Sequence, residues 1–243
     1  MRNTFPTLNV YEKNTLSSKV STQLLYGDTF KKLKRKGTWI KIKSDKDNYR
    51  GYIKNRKFQS NQKNTHKVCD IFANLYSLPQ KKYKLEKKLS FGSRVKITQR
   101  EKNYYKFDIF WIKKKSLEKI NLINKNPFKK IKKFTNIRYK WGGKSFSGID
   151  CSALVQVFLN YNNRFCPRDA KDQMKYFKKT IKLKNIRKND LIFWKGHVAI
   201  VLSKKKLIHA YGPFKKVVIM SVKKTIDRIR TTAKLKVIGI KRI

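Results

Sequence analysis

The stretch that most constrains this chain runs from Tyr139 to Phe158, YKWGGKSFSGIDCSALVQVF. A glycine-punctuated turn leads into Asp150-Cys151-Ser152 and then into an apolar run of helix length. Ala153, Leu154, Val157 and Phe158 recur at helical spacing and predict one buried stripe, with Gly148 and Asp150 as candidate caps. One thiol, that of Cys151, therefore stands where a helix begins. The first N–H groups of a helix lack intrahelical partners, and with the positive end of the helix dipole they favour an anion such as a thiolate. Inert cysteines sit among apolar neighbours. Cys151 instead lies between Asp and Ser, and its sulfur is expected to face outward at the helix tip.

A cysteine nucleophile needs a base to take its proton and a third group to orient that base. The chain has 3 histidines. His66 is expected to be a packing or surface residue, whereas His197 and His209 follow the Cys helix. Leu191–Trp194 and His197–Leu202 are apolar, β-branched and joined by Lys195-Gly196, so they predict paired strands; Leu207–Tyr211 predicts a third and Leu235–Ile240 a last. If the second and third pair across Ser203–Lys206, the two imidazoles come within reach. An antiparallel sheet packed on the Cys helix accounts for the region. Ahead of it, Asn126-Pro127 predicts a cap and first turn of a helix reaching about Phe134.

The first half repeats. Asn9-Val10-Tyr11 is echoed by Asn74-Leu75-Tyr76, Tyr26-Gly27 by Phe91-Gly92, and Trp39-Ile40-Lys41-Ile42 by Tyr104-Tyr105-Lys106-Phe107, each 65 positions on. Within each copy the segments are short, alternating and rich in β-formers. Residues 1–60 and 65–115 are thus expected to be two small β-barrels, 116–125 a basic linker, and 126–243 the last domain.

Lys and Arg number 63 against 14 Asp and Glu, a net charge of +49. Two readings stand: affinity for polyanions, or compositional bias, since Lys, Asn, Ile and Phe are abundant together. The lysines are spread over all segments, with no basic stripe of the kind that binds nucleic acid. The 3 cysteines match no zinc or CxxC spacing, and Cys69 and Cys166 sit in apolar contexts as packing residues. No apolar run approaches a membrane span, and the N-terminal segment has no apolar signal core, so a cytoplasmic chain is expected, or a periplasmic or secreted one if a leader was removed.

Tyr139-Lys140-Trp141-Gly142-Gly143, Gly148-Ile149-Asp150-Cys151-Ser152, Arg168-Asp169 with Gln173, Asp190–Phe193, His197–Ile200 and Ile208-His209-Ala210 follow in the order seen in NlpC/P60 cysteine peptidases. The two preceding units resemble bacterial SH3 domains. Together the chain resembles the γ-D-glutamyl-L-diamino acid endopeptidases. The resemblance implies an α+β, papain-like catalytic domain behind two SH3-like barrels. It implies Cys151 as nucleophile, His197 as base and acid, His209 as orienting third member, and Tyr139 as oxyanion donor. It also implies Asp150, Ser152 and Trp141 as substrate-binding positions, Asp150 receiving a free amino terminus. Arg168-Asp169 is expected to be a structural pair bracing its loop. Asn189 stands where many members have Gly, and Ala170 where many have Ser. The implied substrate is a peptidoglycan-derived peptide with free N-terminal L-Ala, cut between γ-D-Glu and diaminopimelate in peptidoglycan recycling or turnover. No metal or organic cofactor is implied. The alternatives are a related muramoyl amidase, or a non-catalytic cell-wall or polyanion-binding protein.

Overall fold

The computed structural model describes residues 1–243. Its first body is an antiparallel sheet of β1 (Thr7–Tyr11), β2 (Val20–Leu25), β3 (Phe30–Lys36), β4 (Trp39–Ser44) and β5 (Arg50–Lys54), in the order β2-β1-β5-β4-β3. Alternation sends Leu8, Val10, Ile40, Ile42 and Ile53 inward, where they close a core with Leu24 and Phe30. Each such side chain contributes about 1.5–3 kcal/mol on burial. The period of two also gathers charge that looks scattered along the sequence. Lys41, Lys43 and Lys54 share the outer face with Tyr52 and Trp39, and the Lys54 ammonium lies 4.8 Å from the Trp39 ring centre.

The second body contains β6 (His66–Val68), β7 (Phe72–Tyr76), β8 (Lys84–Ser90), β9 (Arg94–Val95), β10 (Gln99–Glu101), β11 (Tyr104–Phe107), β12 (Phe110–Lys113) and β13 (Leu117–Lys119). Its main sheet runs β10-β11-β12-β7-β8. Matching β7 and β8 to β1 and β2, and β10 to β12 to β3 to β5, gives the same order of neighbours as in the first body. The expected linker is shorter than 116–125, because β13 pairs with β6 and closes a second, three-stranded sheet. His66 is buried, in keeping with a packing role.

The third body differs from expectation at both ends. The helix expected from Asn126 is a 3-10 turn over Ile131–Phe134. Phe128 ahead of it and its own buried Ile131 and Phe134 recur every third position, the 3-10 period. Its backbone bonds, Ile131 N–H to the Phe128 carbonyl among them, span three residues. At the other end the last strand is short, β20 (Gly239–Lys241), and is preceded by two elements not expected from sequence, β19 (Lys216–Ser221) and the helix α3 (Val222–Ala233). Only Val222, Thr225 and Ile229 of α3 are buried, so its stripe is thin among lysines and arginines.

Between the ends the expected plan holds. After the hairpin β14 (Lys144–Ser145) and β15 (Gly148–Ile149) comes α1 (Cys151–Tyr161), then α2 (Ala170–Tyr176), β16 (Leu191–Trp194), β17 (His197–Val201) and β18 (Lys206–Tyr211). The sheet order is β19-β18-β17-β16-β20, with antiparallel pairing throughout. The Asp150 carboxylate caps α1, accepting from Ala153 N–H at 2.8 Å. All of α1 but Asn160 is buried, because the helix lies under the sheet on one side and the first two bodies on another; the single predicted stripe was too narrow. Asn189 has φ 74, a left-handed conformation that Asn tolerates where most residues do not.

Candidate active site

Cys151 is the first residue of α1, and its sulfur is buried rather than outward, at 6% exposure. The turn joining β16 to β17 folds over it. The Gly196 carbonyl lies 4.0 Å from the sulfur, and the backbone N–H groups of Val198 and Ser152 point at it. Burial, and then the Asp150 charge, push the thiol up to about 12, against those N–H groups and Arg168. The helix terminus alone would have favoured a thiolate; desolvation outweighs it here.

The pairing of β17 with β18 brings the two histidines together, with His197 Nε2 2.8 Å from His209 Nδ1. Burial lowers His197 to about 4, and burial with His197 alongside lowers His209 to about 2. Both rings are therefore neutral near pH 7. The sulfur is packed against the backbone on either side of His197, while no side-chain hydrogen bond yet joins it to the ring. With Nε2 engaged by His209, Nδ1 is the nitrogen left to take a proton. The resting site is thus a thiol and an imidazole, and proton transfer must accompany attack.

A cavity of about 210 Å³ opens beside the sulfur. Tyr139, Trp141, Asp150 and Ser152 all line it. Burial, followed by the charges of Cys151 and Asp150, raises the Tyr139 phenol, keeping it a hydrogen-bond donor. Trp141 is 61% exposed, at the rim. Asp150 and Ser152, however, have their polar atoms engaged within the protein. Arg168 pairs with the Asp150 carboxylate, Nη1 to Oδ1 at 3.0 Å, and donates to Ser152 Oγ at 2.9 Å. Gly142 N–H also donates to Asp150, at 2.9 Å. So the braced pair is Arg168 with Asp150, not Arg168 with Asp169. A buried carboxylate draws a guanidinium more strongly than the neighbouring, more solvated Asp169 can.

Sequence reasoning missed the other half of the wall. Glu12, Ser21 and Tyr49 of the first body line the same cavity, as does Asp169. Neither Glu12 nor Asp169 forms an ion pair. Partial burial raises the Asp169 carboxyl, opposed chiefly by the nearby Arg168. The first body is held there by close contacts. Arg168 Nε donates to Thr22 Oγ1 at 2.8 Å, and Lys144 N–H to Gln23 Oε1 at 2.9 Å. Gly142 has φ +71, and a Cβ there would lie 2.2 Å from the Val20 carbonyl oxygen.

The model of the NlpC/P60 family matches residues 136–235, from before Tyr139 to beyond His209. Those residues are an NlpC/P60 domain. The bacterial SH3 domain model matches residues 6–57, the first body. A dipeptidyl-peptidase 6 of Lysinibacillus sphaericus is 40% identical over 72 residues, 30% of this chain and 27% of that relative's length. A gamma-D-glutamyl-L-lysine dipeptidyl-peptidase of Bacillus subtilis is 25% identical over 85% of this chain and 77% of its own. The crystal structure of an NlpC/P60 family protein from Bacillus cereus superposes with a TM-score of 0.82, at 19% identity, over 99% of this chain and 98% of that one. Family and peptidase-named relatives make the NlpC/P60 domain that of a cysteine peptidase.

Proposed function

We propose that the protein hydrolyses the γ-D-glutamyl to diamino acid bond of peptidoglycan-derived peptides whose N-terminal L-Ala is free. The observation that carries this reading is the pair of carboxylates, Glu12 and Asp169, in a small cavity beside Cys151. Neither carboxylate is engaged in an ion pair, so both are open to a substrate ammonium, which an N-acylated peptide would not supply. The cavity's size suits about two residues ahead of the scissile bond, and relatives named as γ-D-glutamyl-L-lysine dipeptidyl-peptidases point the same way.

In this reading the thiol proton passes to His197 as the sulfur attacks the γ-carbonyl. Tyr139 and the N-terminal N–H of α1 stabilise the oxyanion; one such donor contributes on the order of 3 kcal/mol. The imidazolium then protonates the leaving amine, and water hydrolyses the thioester. We also read the second body as a divergent copy of the SH3 unit, on its strand order.

The test is incubation with L-Ala-γ-D-Glu-diaminopimelate, L-Ala-γ-D-Glu-L-Lys and their N-acetylated forms, followed by mass spectrometry, with Cys151→Ala alongside. Cleavage of the free-amine peptides alone, absent in the variant, is expected. Equal cleavage of the acetylated peptides would sink the amine reading, and equal cleavage by the variant the peptidase reading. The basic outer face of the first sheet favours polyanion binding as a second activity. That binding would weaken steeply between about 50 and 200 mM salt, whereas small-peptide turnover would change far less.

A further inference from the structure

Each ring nitrogen of the buried His209 has one neighbour. Nδ1 lies 2.8 Å from His197 Nε2, and Nε2 lies 3.3 Å from the sulfur of Met220 on the adjacent strand β19. The ring is also stacked on Tyr211, centroids 4.7 Å apart and planes at 13°, which holds its orientation. A thioether has lone pairs and no proton, so it can only accept a hydrogen bond.

We propose that Met220 is a positioning residue: it fixes the tautomer of His209, and through it that of His197, so that His197 Nδ1 stays bare for the thiol proton. With the His209 proton on Nε2, facing the Met220 sulfur, Nδ1 of His209 is an acceptor. His197 must then carry its proton on Nε2, donated to His209, and its Nδ1 is free. In the opposite arrangement His209 donates from Nδ1, and His197 bears its proton on Nδ1, where it cannot serve as base. That arrangement also sets the lone pair of His209 Nε2 against those of the Met220 sulfur. During attack the S–H bond breaks, its proton goes to His197 Nδ1, the S–C bond forms, and the carbonyl pair moves to oxygen. The Nε2–H···Nδ1 bond is unchanged, so no second proton has to move.

This inference rests on Cys151 and His197 as nucleophile and base. It is separable from mere packing, for Met220 also touches the apolar cluster on that face of the sheet. Met220→Leu keeps the bulk and removes the acceptor; Met220→Gln supplies a carbonyl oxygen in its place. The measurements are histidine ring 15N shifts, which need no substrate, and hydrolysis of L-Ala-γ-D-Glu-L-Lys. In the unaltered protein His209 should be protonated at Nε2 alone. Met220→Leu should mix its tautomers and lower kcat about 3- to 10-fold with KM within about twofold, and Met220→Gln should restore both. A wild-type His209 protonated at Nδ1, or a Met220→Leu protein with unmixed tautomers and full kcat, would overturn the proposal. Failure of the wild type to cleave the peptide would instead count against the proposed substrate, leaving the ring shifts to decide on Met220.

Discussion

The first two bodies share one strand order and serve opposite ends of the same helix. The first wraps the N-terminal end of α1: Thr22, Gln23 and the Val20 carbonyl fix the loops around Asp150, while Glu12 and Tyr49 enter the cavity. The second holds the C-terminal end. Lys67 Nζ donates to the Tyr161 carbonyl at 2.7 Å and Arg94 to that of Asn160 at 2.9 Å, placing cations where the helix dipole is negative. Phe91 stacks on Tyr161 at 4.3 Å and packs on Phe134 and Phe158 within the catalytic core. The contrast teaches that two bodies with one strand order can act differently, the first as cavity wall and the second as helix clamp. What differs is which helix end each meets.

If the division is real, damage to the second body should cost stability and damage to the first should cost catalysis. Phe91→Ala should destabilise by about 3–5 kcal/mol in denaturant unfolding, with KM unchanged for the protein that remains folded. A raised KM would break the division. Replacing both cavity carboxylates, Glu12→Gln with Asp169→Asn, should lower kcat/KM for free-amine peptides about 100-fold, or about 2.7 kcal/mol, with the melting temperature hardly altered. Thr22→Val leaves Arg168 one acceptor short and should cost about 1–2 kcal/mol. Its signature is a fall in kcat/KM together with stability, since Arg168 holds Asp150.

A further expected effect belongs to the catalytic body and is one of pH. His197 and His209 are depressed from the usual 6.5 to about 4 and about 2, so below 6.5 the unfolded chain binds more protons than the folded one. Their stabilising contribution is complete above pH 6.5 and declines as pH falls, down to about 4 for His197 and about 2 for His209, by at most about 1.4 kcal/mol per pH unit for each ring. Melting temperatures between pH 7.5 and 4.5 should show the decline, and kcat/KM of folded protein should hold down to about pH 5. An activity midpoint near 6.5 would mean a solvated His197.

Particular residues mark how far the sequence could be read. Cys151 at a helix start, the strand bearing His197 and the one bearing His209 all follow from short-range pattern, because capping and alternation act over a few residues. The 65-residue repeat was visible for the same reason, and Thr7–Tyr11 and Phe72–Tyr76 are matching strands. Lys129, Lys130, Lys132 and Lys133 hid the three-residue spacing of Phe128, Ile131 and Phe134, and the charges of α3 hid its thin stripe. The partner of Arg168 could not be read, for Asp169 is adjacent in the chain while Asp150 is adjacent only in space.

The sequence by itself determined the local chemistry: which thiol heads a helix, which imidazoles lie on strands that can pair, and where the backbone must turn. Only the tertiary structure decided that the thiol is buried and uncharged, that Glu12 and Tyr49 close the cavity, and that Met220 faces His209. Those outcomes depend on desolvation and on contacts between residues far apart in the chain, and neither leaves a periodic mark on the sequence.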